Sequence, residues 1–112
     1  GELGRNTLST GAKRMRLHAE FHPAIKRELD SAYRWYEAQG VGLGKRFLND
    51  LELLLQTIVT QPELFGILDG MIRAAPLSRF PYVVYYRISA PVIRILAVHH
   101  VARDPSSWQS RD

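Results

Sequence analysis

Cysteine is absent from the 112-residue chain. Its absence excludes disulfides, thiolate nucleophiles and the common zinc-finger ligand sets, and fits a reducing, cytoplasmic setting. No apolar run is long enough to span a membrane, and the N-terminus lacks the continuous apolar stretch of a signal peptide. Lysine is scarce, with only Lys13, Lys26 and Lys45. Acid is scarce toward the end. Residues 71–112 hold six arginines against Asp104 and Asp112, whereas residues 1–70 balance nine bases with nine acids. The formal net charge of +4 therefore lies wholly in the C-terminal part. This asymmetry suits an acidic or polyanionic partner, and equally suits basic sheet edges that resist aggregation.

What is present reads as one domain. Residues 1–14, "GELGRNTLSTGAKR", show no apolar period, and Met15 resembles a natural start. They are expected to be a leader, a cloning remnant or an upstream extension outside the core. "MRLHAEFH" (15–22) alternates and predicts a strand with Leu17, Ala19 and Phe21 buried. Pro23 then suits a helix start. Ile25, Leu29, Ala32, Tyr33 and Tyr36 recur at helical spacing until the glycines of "QGVGLG" (39–44). Phe47, Leu48, Leu51, Leu54, Leu55 and Ile58 mark a second helix that ends at Gln61–Pro62. The short connection predicts an antiparallel helical hairpin. "PELFGILDG" (62–70) reads as a loop. Strands are expected at 71–77, 82–89 and 92–100, the last two joined as a hairpin. The order is β-α-α-β-β-β, an α+β domain with the helical hairpin packed on one face of a small, mostly antiparallel sheet.

Strict alternation then assigns the faces. If the apolar residues of the final strands meet the helices, Arg87, Arg94 and His100 point to the open side, with Tyr85 among them. Arg73 is expected to join them.

Three segments, "WYE…GLG…F", "RFPY…YYR" and "H..RDP..W", resemble in this order the RelE/ParE toxin superfamily, and most of all its ParE-like, plasmid-stabilisation branch. The resemblance covers about residues 15–111 and makes 15–112 a single toxin domain. It implies the toxin of a type II toxin–antitoxin pair, neutralised by a small cognate antitoxin whose C-terminal segment lies along it. The implied target is DNA gyrase, inhibited by binding. The alternative is a RelE-like endoribonuclease that cuts mRNA on the ribosome. No cofactor, metal or membrane is implied.

The residues weigh these alternatives. Cleavage needs a proton acceptor, cations for the phosphorane charge and an acid for the leaving oxygen. No lysine lies in the predicted sheet, and arginine rarely gives up a proton. That leaves His99 or His100 as the base, and a ribonuclease would use His100 first, with Arg73, Arg94 and Arg103. Trp108 stands where a catalytic tyrosine could be, and an indole cannot do that chemistry. His99 and His100 are adjacent in a strand and point apart, so they cannot readily chelate one metal. His99 is expected to be buried and satisfied by the backbone. Trp108 is expected either to fold back as an apolar plug or to anchor a partner. Trp35 falls off the core stripe and marks a partner surface or the hairpin edge. The antitoxin and target contacts expected from the sequence are thus Arg73, Tyr85, Arg87, Arg94, His100, Arg103, Trp108 and Trp35.

Overall fold

The structure is a computed structural model that describes residues 16–104 and 106–111. The expectation about residues 1–14 lies outside the described residues. In chain order the elements are β1 (His18–Phe21), α1 (Ala24–Gln39), α2 (Leu43–Thr60), β2 (Ile67–Asp69), β3 (Ile72–Pro76), β4 (Tyr82–Ser89), β5 (Val92–His100) and a single turn, α3 (Ser106–Gln109). The strands form one sheet in the order β1-β5-β4-β3-β2. β1 runs parallel to β5, and the other pairs are antiparallel.

Local chemistry sets the helix boundaries. Pro23 fixes the backbone just before α1, and the His22 ring accepts a hydrogen bond from the Ala24 N–H at 3.1 Å, in place of the usual Ser, Asp or Asn cap. The hairpin between the helices is tied by Glu37. Its carboxylate accepts from the Gly42 N–H at 2.9 Å and the Gly44 N–H at 3.0 Å, which satisfies donors at the start of α2. Gly42 has φ +83°, a left-handed conformation that disfavours a side chain. At Gly44 the constraint is space: a Cβ would lie 2.8 Å from the Tyr33 carbonyl oxygen.

Both helices bury one face on the sheet. Ile25, Ala32 and Tyr36 of α1 and Phe47, Leu51 and Ile58 of α2 meet Val84, Tyr86, Ile93, Ile95 and Val98. Tyr36, Phe47, Phe80 and Tyr82 add a ring cluster with centroids 4.9 to 6.1 Å apart. The Tyr86 hydroxyl keeps a polar outlet, donating to the Pro62 carbonyl at 2.6 Å. A smaller cluster of Ile72, Tyr85, Leu96, Ala97 and Trp108 lies on the opposite face.

The structure departs from alternation in three places. Residues 67–69, read from sequence as part of a loop, form β2 on the outer edge of the sheet. Phe21, expected to be buried, is exposed because β1 is an edge strand with little above it. The third departure concerns β5. Tyr85 faces Ala97 while Tyr86 faces Ile95, so Leu96 is an extra residue, a β-bulge. Before the bulge, Ile93 and Ile95 face the helices; after it, Val98 does. The single inserted residue inverts the parity of everything downstream.

Candidate functional site

The bulge separates the residues that alternation groups together. Arg87 and Arg94 stand directly opposite each other on the face away from the helices. Two cations in that register repel; Glu20, paired with Arg94 across β1 and β5 at 3.8 Å, lessens the cost. His100 does not join them. Past the bulge it pairs with Tyr82 on the helix side, ring against ring at 5.3 Å. Arg73 does not join them either. It lies opposite Tyr86, a helix-side residue, and donates to the Phe65 carbonyl at 2.6 Å, which holds the loop before β2. Tyr85 is on the open face yet is covered. Trp108, 1 % exposed, stacks on it with centroids 4.4 Å apart and planes 24° apart. The C-terminal turn is thus a plug over the second face, as one of the two sequence readings of Trp108 has it. Its indole N–H makes no hydrogen bond among the described residues.

A buried polar hub holds this plug. Glu28 reaches from α1 to the outer edge of β5, beyond the point where β1 ends. One carboxylate oxygen accepts from the Val98 N–H at 3.2 Å. The other accepts from the His99 ring at 2.7 Å and pairs with the Arg111 guanidinium at 2.7 Å. Arg111 also donates to the Leu96 carbonyl at 3.1 Å. Burial lowers the His99 pKa, and the Glu28 carboxylate acts against that shift. His99 is 1 % exposed, so its neutral form with the proton on Nε2 fits this arrangement. Neither Glu28 nor Arg111 was singled out in the sequence. The signal was there: Glu28 sits between Ile25 and Ala32 on the apolar stripe of an amphipathic helix, where a carboxylate needs a partner.

Beside the hub a cleft of about 470 Å³ opens between α1 and the end of the sheet. Arg27, Ser31 and Trp35 line its α1 wall; Tyr82, Val98 and His100 line the other, with Arg103 and Arg111 from the tail. Trp35 is 59 % exposed. Among the described residues no carboxylate lies within salt-bridge distance of Arg27 or Arg103. The Arg103 charge partly opposes the rise that burial causes in the Tyr82 pKa. The His100 Nδ1 accepts from the Ala102 N–H at 3.0 Å, which leaves its Nε2–H as a donor when the ring is neutral. Of the residues expected from sequence, three meet in this cleft: Trp35, His100 and Arg103. Arg87 and Arg94 form a separate pair on the far face. Among the described residues no three His, Asp or Glu side chains converge as a metal would require, and no helix is long and apolar enough to cross a membrane.

Comparison with known proteins finds a family model and solved structures that resemble the chain. The model of the family described as "ParE toxin of type II toxin-antitoxin system, parDE" matches residues 19–105. A solved chain from the chromosomal ParDE TA system of P. aeruginosa superposes with a TM-score of 0.64 at 16 % sequence identity, covering 76 % of this chain and 96 % of that one. At that identity the likeness speaks for the fold. No curated protein matches the chain.

Proposed function

The chain belongs to the ParE toxin family of type II toxin–antitoxin systems, and on that premise we propose that it inhibits DNA gyrase by binding and is neutralised by a cognate antitoxin. The observation that carries the proposal is the family match over residues 19–105.

The geometry supports binding over proton-transfer chemistry. Lys26 and Lys45 lie on the helices, and Lys13 lies outside the described residues. The Nδ1 lone pair of His100 is engaged by a backbone N–H, so in the neutral ring neither nitrogen offers a free lone pair to the cleft. Arg73 is committed to a loop carbonyl, and Arg94 is on the other face from His100. Of the four residues a ribonuclease would use, His100 and Arg103 share the cleft, while Arg73 and Arg94 lie away from it. In the binding reading, Arg87 and Arg94 form the contact for the target, while Tyr85 and Trp108 support that face from within. The toxin acts in the cytoplasm without a cofactor.

The test has two arms. Induced expression of the full chain should arrest growth and trigger the DNA-damage response, and the product of the adjacent small reading frame should relieve both. The purified protein should block supercoiling by purified gyrase and leave ribosome-bound mRNA intact. Toxicity should survive His100→Gln, which removes acid–base function, and should weaken in a graded way on charge reversal at Arg94. Cleavage of ribosome-bound mRNA that His100→Gln abolishes, with gyrase unaffected, would make the chain an endoribonuclease instead.

A further inference from the structure

One rung of the sheet crosses all its strands on the face away from the helices. Asp69, Ile72, Arg87, Arg94 and Glu20 stand in that order on β2, β3, β4, β5 and β1. Ile72 belongs to the cluster that Trp108 closes. The two cations lie in the middle of the rung and the two acids at its ends. Asp69 is two strands away from Arg87, about 10 Å. Glu20 is the carboxylate beside the arginine pair.

Glu20 is held loosely. One of its oxygens lies 3.3 Å from the His18 Nε2 and the other 3.8 Å from the Arg94 guanidinium. At 3.8 Å the Arg94 contact is an ion pair without a hydrogen bond. Both side chains reach into water, Arg94 with 42 % of its surface exposed and Glu20 with 54 %. Such a pair is weak and exchanges readily. The contrast is Glu28, buried and 2.7 Å from Arg111, which is fixed. The planar fork of Arg94 can take a carboxylate through two parallel hydrogen bonds, and Glu20 does not fill it.

We propose that Glu20 is an internal stand-in for a carboxylate on the surface of the target protein, and that binding exchanges one for the other on Arg94. The proposal rests on the gyrase reading above and names the chemistry of the contact. Glu20 restrains the toxin, because the incoming carboxylate has to displace it. Arg87, directly opposite Arg94, adds the second positive charge that favours the exchange. A phosphate backbone fits less well. It carries a negative charge at every nucleotide along its run, and the rung ends in an acid on either side.

The experiment measures inhibition of supercoiling by purified gyrase. Wild type is compared with Glu20→Gln, Arg94→Gln, the double variant and Glu52→Gln. Glu52 is exposed on α2, across the sheet from the rung, so its replacement removes the same unit of charge elsewhere. Unchanged melting temperatures check folding. Glu20→Gln should lower the half-inhibitory concentration by about two- to fivefold. Arg94→Gln should raise it by about tenfold or more. In the Arg94→Gln background Glu20→Gln should have no effect, because the restraint acts through Arg94. Glu52→Gln should leave inhibition as it is. The proposal is overturned if Glu20→Gln inhibits no better than wild type, if it gains as much without Arg94, or if Glu52→Gln gains equally. Binding to a short linear DNA duplex without gyrase, tightened by Glu20→Gln to the same degree, would make the anion a phosphate and overturn the carboxylate assignment. If wild type leaves supercoiling untouched, the gyrase reading fails, and the exchange proposed for that target falls with it.

Discussion

Glu28→Ala should cost this protein about 3–5 kcal/mol, the usual loss when one partner of a buried ion pair is removed. Three groups lose their acceptor at once. The Val98 N–H, 3.2 Å from one carboxylate oxygen, is left on an unpaired strand edge. The His99 ring is left buried with its Nε2–H unmatched. Arg111, 14 % exposed, keeps only the Leu96 carbonyl. Each orphaned buried donor costs about 1–3 kcal/mol, and the three losses overlap because the groups can relax together. Glu28→Gln should cost less, about 2 kcal/mol, because one amide oxygen still serves Val98. Urea unfolding followed by far-UV circular dichroism at neutral pH measures both. Against a total of about 5–15 kcal/mol, the alanine variant should be visibly compromised. A cycle with Arg111→Met, which keeps the aliphatic stem, should return a coupling of about 1–3 kcal/mol. A cost below about 1 kcal/mol for Glu28→Ala, or a coupling near zero, would mean that the hub does not hold the tail, and the account of how the second sheet face is closed would fail.

His99 gives the hub a pH signature. Its folded-state pKa is lowered, chiefly by burial, so the unfolded chain binds the proton more readily. Its contribution to stability is then complete above the unfolded value of about 6.5 and is lost as pH falls from there through the depressed folded value. His99→Gln should flatten the fall in the urea midpoint between about pH 7.5 and about pH 5.5, and an unchanged slope would contradict the reading. Gly44→Ala should destabilise by about 1–3 kcal/mol, since its Cβ meets the Tyr33 backbone at 2.8 Å. Gly40→Ala has open space and an extended φ of −174°, so it should be neutral or slightly stabilising; equal shifts in thermal unfolding would refute the distinction. Trp108→Ala should cost about 3–5 kcal/mol and raise binding of an apolar dye, whereas Trp35→Ala should stay within about 0.5 kcal/mol. Similar costs for the two would deny that Trp108 is the plug.

Most of the architecture was legible because apolar spacing is a direct record of burial. The two helices, the hairpin of β4 and β5 and the glycine turn between α1 and α2 all carry that record. β2 was hidden because Ile67, Leu68 and Asp69 are all exposed, and a strand that buries nothing leaves no period to read. The site was less legible for a related reason. Period-two reasoning places every side chain relative to its neighbour, so the extra residue at Leu96 carries its error onward to His100. No local residue preference announces a bulge at that position. Arg73 was misplaced by its short strand, where one residue of register decides the face. The hub escaped notice because its members are far apart in sequence, at 28, 99 and 111, and only the fold brings them together.

The two ends of the sheet differ in what they offer to another copy of the chain. At one end β1 carries His18 and Glu20, and beyond it Glu28 and Arg111 cover the rim of β5 with charged groups already committed to it. At the other end β2 presents Ile67 and Leu68, flanked by Leu64 and Met71, all exposed, without a lysine, arginine or proline within the strand. Fibrous growth by strand addition requires two receptive rims on each unit, so that every newcomer offers a fresh one. Among the described residues the rim without lysine, arginine, histidine or proline is that of β2. Edge pairing between copies can occur through β2, and the pair then turns outward the β1 rim, with His18, Glu20 and the exposed Phe21, and the stretch of β5 covered by Glu28 and Arg111. Sheet extension therefore terminates at two subunits, and crowding the protein should yield dimers rather than fibrils.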